Sequence, residues 1–294
     1  MSKSLGIYLA ALLLVLVGWL WLRAPAIADF SDNAHWLSLF GISALYLCSH
    51  GLRMLRLLLL TLDQRNKVFP LITAHALTAF PSSFLPFKLG EVLRLAAFFH
   101  VFEHRQKALA VWLAERIGDI LVLTALIIGL YLFSINVPPL MRTVLILFLL
   151  ASALSFLGFF AVAKLFIYLN RHLVLNSHTT RGLTLLRISH HMRRFEISIY
   201  KSVEGRVSSL LLLSVLIWSL EIAALSLFIS YFSINEKSFA SLFTSGLLAN
   251  LPGGDSSSNG FGLYQSLALA SLTTLFLVIT WLATRFNFLR IRDV

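Results

Sequence analysis

Seven ionisable side chains stand inside stretches that are otherwise apolar enough for a lipid bilayer: Lys88, Glu91, Arg94, Glu115, Arg116, Asp119 and Glu221. A charge at the centre of a spanning helix costs about 2.5–3.5 kcal/mol on the insertion scale, so such groups pair, line a wet cavity or sit near an interface. Three cations against four acids make mutual pairing feasible. Glu91 and Arg94 are three residues apart, and Glu115 and Asp119 four apart, so each pair shares a helix face. Arg116 points about 100° away from Glu115, given 3.6 residues per turn. One reading is a polar seam in which Lys88, Arg94 and Arg116 hold a phosphate and the acids hold those bases in place. Arginine suits phosphate through its planar, bidentate fork. The other reading is a buried ion-pair network that pins helix packing. Glu221, a lone acid after Trp218-Ser219-Leu220, could receive a proton or cation, or pair with Arg116.

Two interrupted stretches must position these groups, Phe80–His100 and Asn250–Ala270. Both place Pro, Gly and Ser in membrane-grade sequence, and broken helix at bilayer depth survives only where protein or a wet cavity satisfies its freed N–H and C=O groups. Paired breaks in two halves of a polytopic protein point to a transporter's substrate site. Pro252-Gly253-Gly254-Asp255 can expose successive N–H groups that attract anions, and a helix starting after Ser256–Ser258 would add its positive end. A plain external turn is the alternative. Sliding Ser82–Ala97 onto Ser256–Ser271 matches Ser82, Ser83, Phe87, Leu89, Leu93, Leu95 and Ala96 and sets Glu91 against its isostere Gln265. An odd number of spans between the stretches would invert the second copy.

The elements that carry these stretches follow from hydropathy. The chain has 58% apolar and 13% charged residues and a mean hydropathy of +0.85, whereas soluble domains carry about 25% charge. Spanning helices are expected at about 5–22, 36–60, 108–134, 142–168, 208–232 and 262–284. The fold expected is an all-α polytopic membrane protein, about six spans plus two re-entrant or broken hairpins in a candidate inverted repeat. Two ordinary hairpins in place of the re-entrant ones would give eight spans. The chain reads as one domain over 1–294, and its first segment as an uncleaved helix despite the signal-like Ala24–Ala28.

A net charge of +11 raises the question of nucleic acid. The bases are not gathered on a soluble module, however, and they sort by side. With the N-terminus inside, Lys3, Arg65, Lys67, Arg105, Lys107, the loop from 170 to 207, Arg285, Arg290 and Arg292 are cytoplasmic, against Arg23, Arg142 and Lys237 outside. Both termini are therefore expected in the cytoplasm. Within that loop Leu185, Ile188, Met192, Phe195, Ile199 and Val203 form one helical stripe with Arg187, His190, Arg194 and Lys201 off it. This describes either a basic amphipathic helix on the inner leaflet or a solvated helix packed on the domain. The nine histidines show no metal-ligand spacing with acids, and loop solvation accounts for them. Neither metal nor cofactor is expected. Cys48 alone forms no intrachain disulfide.

Three motifs carry a resemblance. Pro86-Phe87-Lys88-Leu89-Gly90-Glu91-Val92-Leu93-Arg94 resembles the P-x-R-x-G-E-x-x-R segment of the flippase-like family named after the transmembrane region of lysylphosphatidylglycerol synthase. Glu115-Arg116 with Asp119 resembles its E-R-x-x-D helix. Pro252-Gly253-Gly254, with Phe261 to Gln265, resembles its P-G-G-L-G-x-x-E segment, with Lys88 for Arg, Gln265 for Glu and Asp255–Gly260 reading as an insertion. The resemblance implies an inner-membrane protein that moves a phospholipid or polyprenyl-linked head group between leaflets. In the multidomain synthases aminoacyl transfer belongs to a separate soluble domain, so lysyl transfer is not expected. The rival readings are a membrane transferase using a polyprenyl-phosphate donor, with Asp29 and Asp32 as its acids, and a non-transporting partner of an envelope-synthesis enzyme.

Overall fold

The computed structural model describes residues 36–84, 89–132, 180–232 and 259–285, together with isolated helical positions within 7–21 and 143–172. Among these residues the protein is all-helical. In chain order the long helices are α1 (Trp36–Leu60), α2 (Val68–Phe84), α3 (Leu89–Val101), α4 (Arg105–Leu132), α5 (Thr180–Val203), α6 (Val207–Phe232) and α7 (Asn259–Arg285). Two of them, Trp36–Leu60 and Val207–Tyr231, are long and apolar enough to cross a membrane, and α7 holds a shorter apolar segment, Leu267–Leu282.

The spans expected at 36–60, 108–134, 208–232 and 262–284 correspond to α1, α4, α6 and α7, each with its ends within three residues. The first broken stretch is broken in the structure. Helix α2 ends at Phe84 and α3 starts at Leu89, with residues 85–88 outside the described set. Its first arm begins at Val68, twelve residues before the expected start, because Pro70 sits in the first turn, where the missing N–H costs no hydrogen bond. The spans expected at 5–22 and 142–168, the turn at Pro252–Gly254, and Asp29 and Asp32 lie outside the described residues apart from isolated helical positions.

Packing centres on α1, which lies against α6, α2, α7 and α4. One apolar core joins Leu57 and Leu60 of α1 to Leu71 and Ala74 of α2, Phe98 of α3, Ala108, Val111 and Ala114 of α4 and Leu210 of α6. A second joins Ile42 of α1 to Ala224 and Phe228 of α6, with Tyr264 of α7 edge-on to Phe228 at 5.3 Å. The outward faces remain apolar: Leu37, Phe40, Leu55, Leu121, Ile128, Leu212, Val215, Leu277 and Val278 are all exposed. An apolar exterior around a core that buries charge is what a hydrocarbon solvent selects.

One end of the bundle is polar. After α1 the chain makes a 3-10 turn, Leu62–Lys67. Here Lys107 bonds Asp63 at 2.8 Å and Ser202 at 2.9 Å, Lys67 pairs with Glu103 at 3.2 Å, and Arg206 donates to the Leu59 carbonyl at 2.8 Å. Gly205, with φ +72°, turns the chain from α5 into α6. Helix α5 packs on α4. Arg187, His190, Arg194 and Lys201 are exposed, as the stripe requires, and Ile199 is buried with Phe195 and Val203 beside it. Ile188 departs from the expectation and faces outward. Ser189 and Ser202 are buried in its stead, and Ser202 accepts a hydrogen bond from Lys107 of α4.

Candidate functional site: an ion-pair lattice between four helices

Helices α1, α3, α4 and α6 each send charged side chains to one place. Arg56 of α1 is nearly sealed, and its guanidinium reaches three partners. Nη1 donates to Asp119 Oδ1 at 2.6 Å and to Ser214 Oγ at 2.8 Å, and Nη2 to Glu115 Oε1 at 2.8 Å. Arg94 of α3 grips the same Glu115 from the other side, through Nη2 to both carboxylate oxygens at 2.6 and 2.7 Å. Its guanidinium also lies over the Phe98 ring, 5.6 Å from the centroid, a cation–π contact. Glu115 thus sits between two arginines and is fully buried.

A further set of pairs is less enclosed. Arg53, one turn before Arg56, donates to Glu221 Oε1 at 2.6 Å, and Ser49 adds a hydrogen bond to the same oxygen at 3.2 Å. Arg116 meets Glu91 at 2.5 Å and approaches Asp119 at 3.6 Å. Trp112 Nε1 donates to Glu91 at 3.4 Å. The inner side chains, Arg56, Glu115, Arg94 and Asp119, are exposed by 1, 0, 4 and 6%. The outer ones, Arg53, Glu221, Glu91 and Arg116, are exposed by 12, 19, 21 and 23%. The lattice has a dry centre and a reachable rim.

Local structure explains the convergence. Arg53 and Arg56, Glu91 and Arg94, and Glu115 and Asp119 are spaced to lie on one face of their helices. Gly118 lets α4 and α6 approach closely, since a Cβ there would stand 2.7 Å from Ser214 Oγ and 3.8 Å from Arg56 Nη1. Four arginines face four carboxylates, so the described lattice is neutral. Pairing of this density is required because an unpaired buried ion costs several kcal/mol.

Of the expected site residues, Glu91, Arg94, Glu115, Arg116, Asp119 and Glu221 converge here. Gly90 is buried in the first turn of α3, Gln265 is carried on α7, and Lys88 and Pro252–Gly254 lie outside the described residues. The pairing of Glu221 with Arg116 does not occur; Glu221 takes Arg53 of the adjacent α1. Arg53 and Arg56 themselves were not anticipated. Two arginines three apart in an apolar helix were the available signal, but bases near the end of a span ordinarily mark its cytoplasmic boundary. Loop solvation fails for two histidines: His50 of α1 and His75 of α2 are buried in the core. No group of three or more His, Cys, Asp or Glu suited to a metal occurs among the described residues.

The family described as the lysylphosphatidylglycerol synthase TM region matches residues 4–276 of the chain. No curated protein and no solved structure matches it.

Proposed function

The chain belongs to the family of the lysylphosphatidylglycerol synthase TM region, and from that premise we propose that this integral membrane protein moves a phosphate-bearing lipid head group between leaflets. The observation that supports this most is the graded enclosure of the lattice, sealed at Glu115 and Arg56 but reachable at Arg53, Arg116, Glu91 and Glu221. A network that only pinned helices could be exchanged for apolar residues of similar volume at no loss of stability. A rim of partly exposed arginines, each with one close carboxylate and Asp119 farther off, instead offers cations whose partners can be exchanged.

The mechanism follows from the charge balance. With every arginine of the lattice matched, a phosphate binds by displacing Glu91 from Arg116 or Glu221 from Arg53, and the released carboxylate turns to water. Bidentate guanidinium–phosphate contacts replace the guanidinium–carboxylate ones at little net cost. Arg56, Arg94, Glu115 and Asp119 stay paired and hold the frame. Acyl or prenyl tails remain in lipid. Lys88, next to the break between α2 and α3, and the Pro252-Gly253-Gly254 turn with Gln265 would complete the anion path from the two interrupted stretches. In this reading the stretches are inverted counterparts within one domain, and the base-rich end of the bundle faces the cytoplasm of an inner membrane.

Leaflet exchange of labelled phospholipid and polyprenyl-phosphate lipids in proteoliposomes tests the proposal. Arg116→Ala is expected to slow exchange at least about tenfold, the loss of about 1.4 kcal/mol of transition-state stabilisation. Glu91→Gln, which frees Arg116 but cannot retake it, is expected to slow release and lower the exchange rate while tightening lipid binding. Exchange at the wild-type rate in both variants would remove the site assignment.

A further inference from the structure

A buried polar pair beside the lattice takes no part in it. His50 and His75 are 7% and 1% exposed, with ring centroids 5.9 Å apart. Tyr46, one turn before His50, meets it edge-on at 5.1 Å. Nδ1 of His50 and both ring nitrogens of His75 are buried without a hydrogen-bond partner. Buried polar atoms are nearly always partnered, and each exception asks for an explanation. Three unmet nitrogens on neighbouring rings mark a place for a further polar group.

The chemistry of that group can be read from the rings. A neutral imidazole presents one N–H donor and one acceptor nitrogen on different sides of the ring, so His75 needs an acceptor at one and a donor at the other. A phosphate oxygen only accepts and an ammonium only donates, and either would leave one nitrogen of His75 unmet. A hydroxyl can fill either place, so two hydroxyls of one polyol meet both nitrogens. The charges whose field reaches the two rings, Arg53, Arg94 and Glu115, are already paired within the lattice, so no surplus charge calls for an ion here. Arg53 follows His50 by three residues on the same helix face, which sets an anion contact next to a hydroxyl contact.

We propose that His50 and His75 form a hydroxyl-binding subsite for the polyol part of a lipid head group, glycerol or sugar, whose phosphate is held by Arg53. The proposal rests on the lipid reading of the lattice and narrows its substrate class to hydroxyl-rich head groups. A buried water has the same chemistry, and the test separates the two.

The full-length protein in detergent micelles is titrated with phosphatidylglycerol and with phosphatidylpropanol, read by native mass spectrometry. The two lipids share charge and a three-carbon head and differ only in hydroxyls. Wild type is expected to bind phosphatidylglycerol about fivefold tighter, within the range of one or two net hydrogen bonds. His75→Phe should abolish the preference, and His75→Gln, which keeps a donor and an acceptor, should retain part of it. Should His75→Phe fail to fold, His50→Phe serves in its place and is expected to reduce the ratio. Equal affinities in wild type, or a preference untouched by these Phe variants, would overturn the subsite and leave water as the partner. Because binding is read and not exchange, a hydroxyl preference without leaflet exchange would refute transport alone, and exchange without that preference would refute the subsite alone.

Discussion

Arg56 and Arg116 carry the same charge, but their surroundings assign them different work. Arg56 is enclosed and holds Asp119, Glu115 and Ser214 together, so removing it takes the close partner from buried Asp119 and leaves Glu115 to Arg94 alone. Arg56→Met is expected to destabilise the protein by about 3–5 kcal/mol, the cost of leaving buried charge uncompensated, measured by chemical unfolding in detergent. Arg116 stands at the rim with 23% of its side chain exposed, and water can screen Glu91 when it is gone. Arg116→Ala should therefore cost less than about 1 kcal/mol while slowing lipid exchange. Equal destabilisation by both would contradict the division into frame and rim. The acids of this site were legible as residues because an acid in an apolar run stands out against hydrocarbon. Arg53 and Arg56 were not, since a base near the end of an apolar run has an ordinary explanation at the membrane surface. Only the positions of Asp119 and Glu221 in space show that these two turn inward.

At the scale of helices, the lattice depends on how closely α4 and α6 approach. Gly118 leaves room for Ser214 Oγ, which accepts from Arg56. In Gly118→Ala the new Cβ would lie 2.7 Å from that oxygen, closer than van der Waals contact allows. The serine must then rotate away from Arg56 or the helices must part, and the variant should lose about 1–3 kcal/mol. The Gly118→Ala and Ser214→Ala double-mutant cycle checks the cause. With Oγ removed, the nearest remaining Ser214 atom is Cβ at 3.7 Å, so the alanine should cost much less in that background. The turn after α5 offers a second check: Gly205 has φ +72° with nothing within 4 Å of an added Cβ, so Gly205→Ala tests backbone conformation alone and should cost about 1–2 kcal/mol. Hydropathy foretold the helices α1, α4, α6 and α7 to within three residues, although only α1 and α6 are long and apolar enough to cross a membrane. It missed the first arm of the broken stretch, Val68–Ala79, where Thr73, His75 and Thr78 dilute the apolar run; Thr73 and Thr78 bond carbonyls four residues back, and all three are buried.

Across the whole molecule, the polar contacts of Lys67, Lys107 and Arg206 collect at one end. If that end is cytoplasmic, Arg65→Cys and Lys201→Cys in a Cys48→Ala background should resist a membrane-impermeant thiol reagent in intact cells and react once the membrane is opened. Labelling of either from outside would reverse the orientation. The neutrality of the lattice reaches further than architecture. Four guanidinium groups cancel four carboxylates, so rearranging the described charged groups as a set moves no net charge through the electric field. If the protein moves lipid as proposed, an applied potential acts on the cargo rather than on this lattice, at about 2.3 kcal/mol per elementary charge per 100 mV. On the proposed transport, imposing a potassium diffusion potential across proteoliposomes should bias the distribution of a singly anionic lipid and leave that of a zwitterionic one unmoved, the lattice serving as a voltage-indifferent frame whose electrical behaviour is borrowed from its cargo.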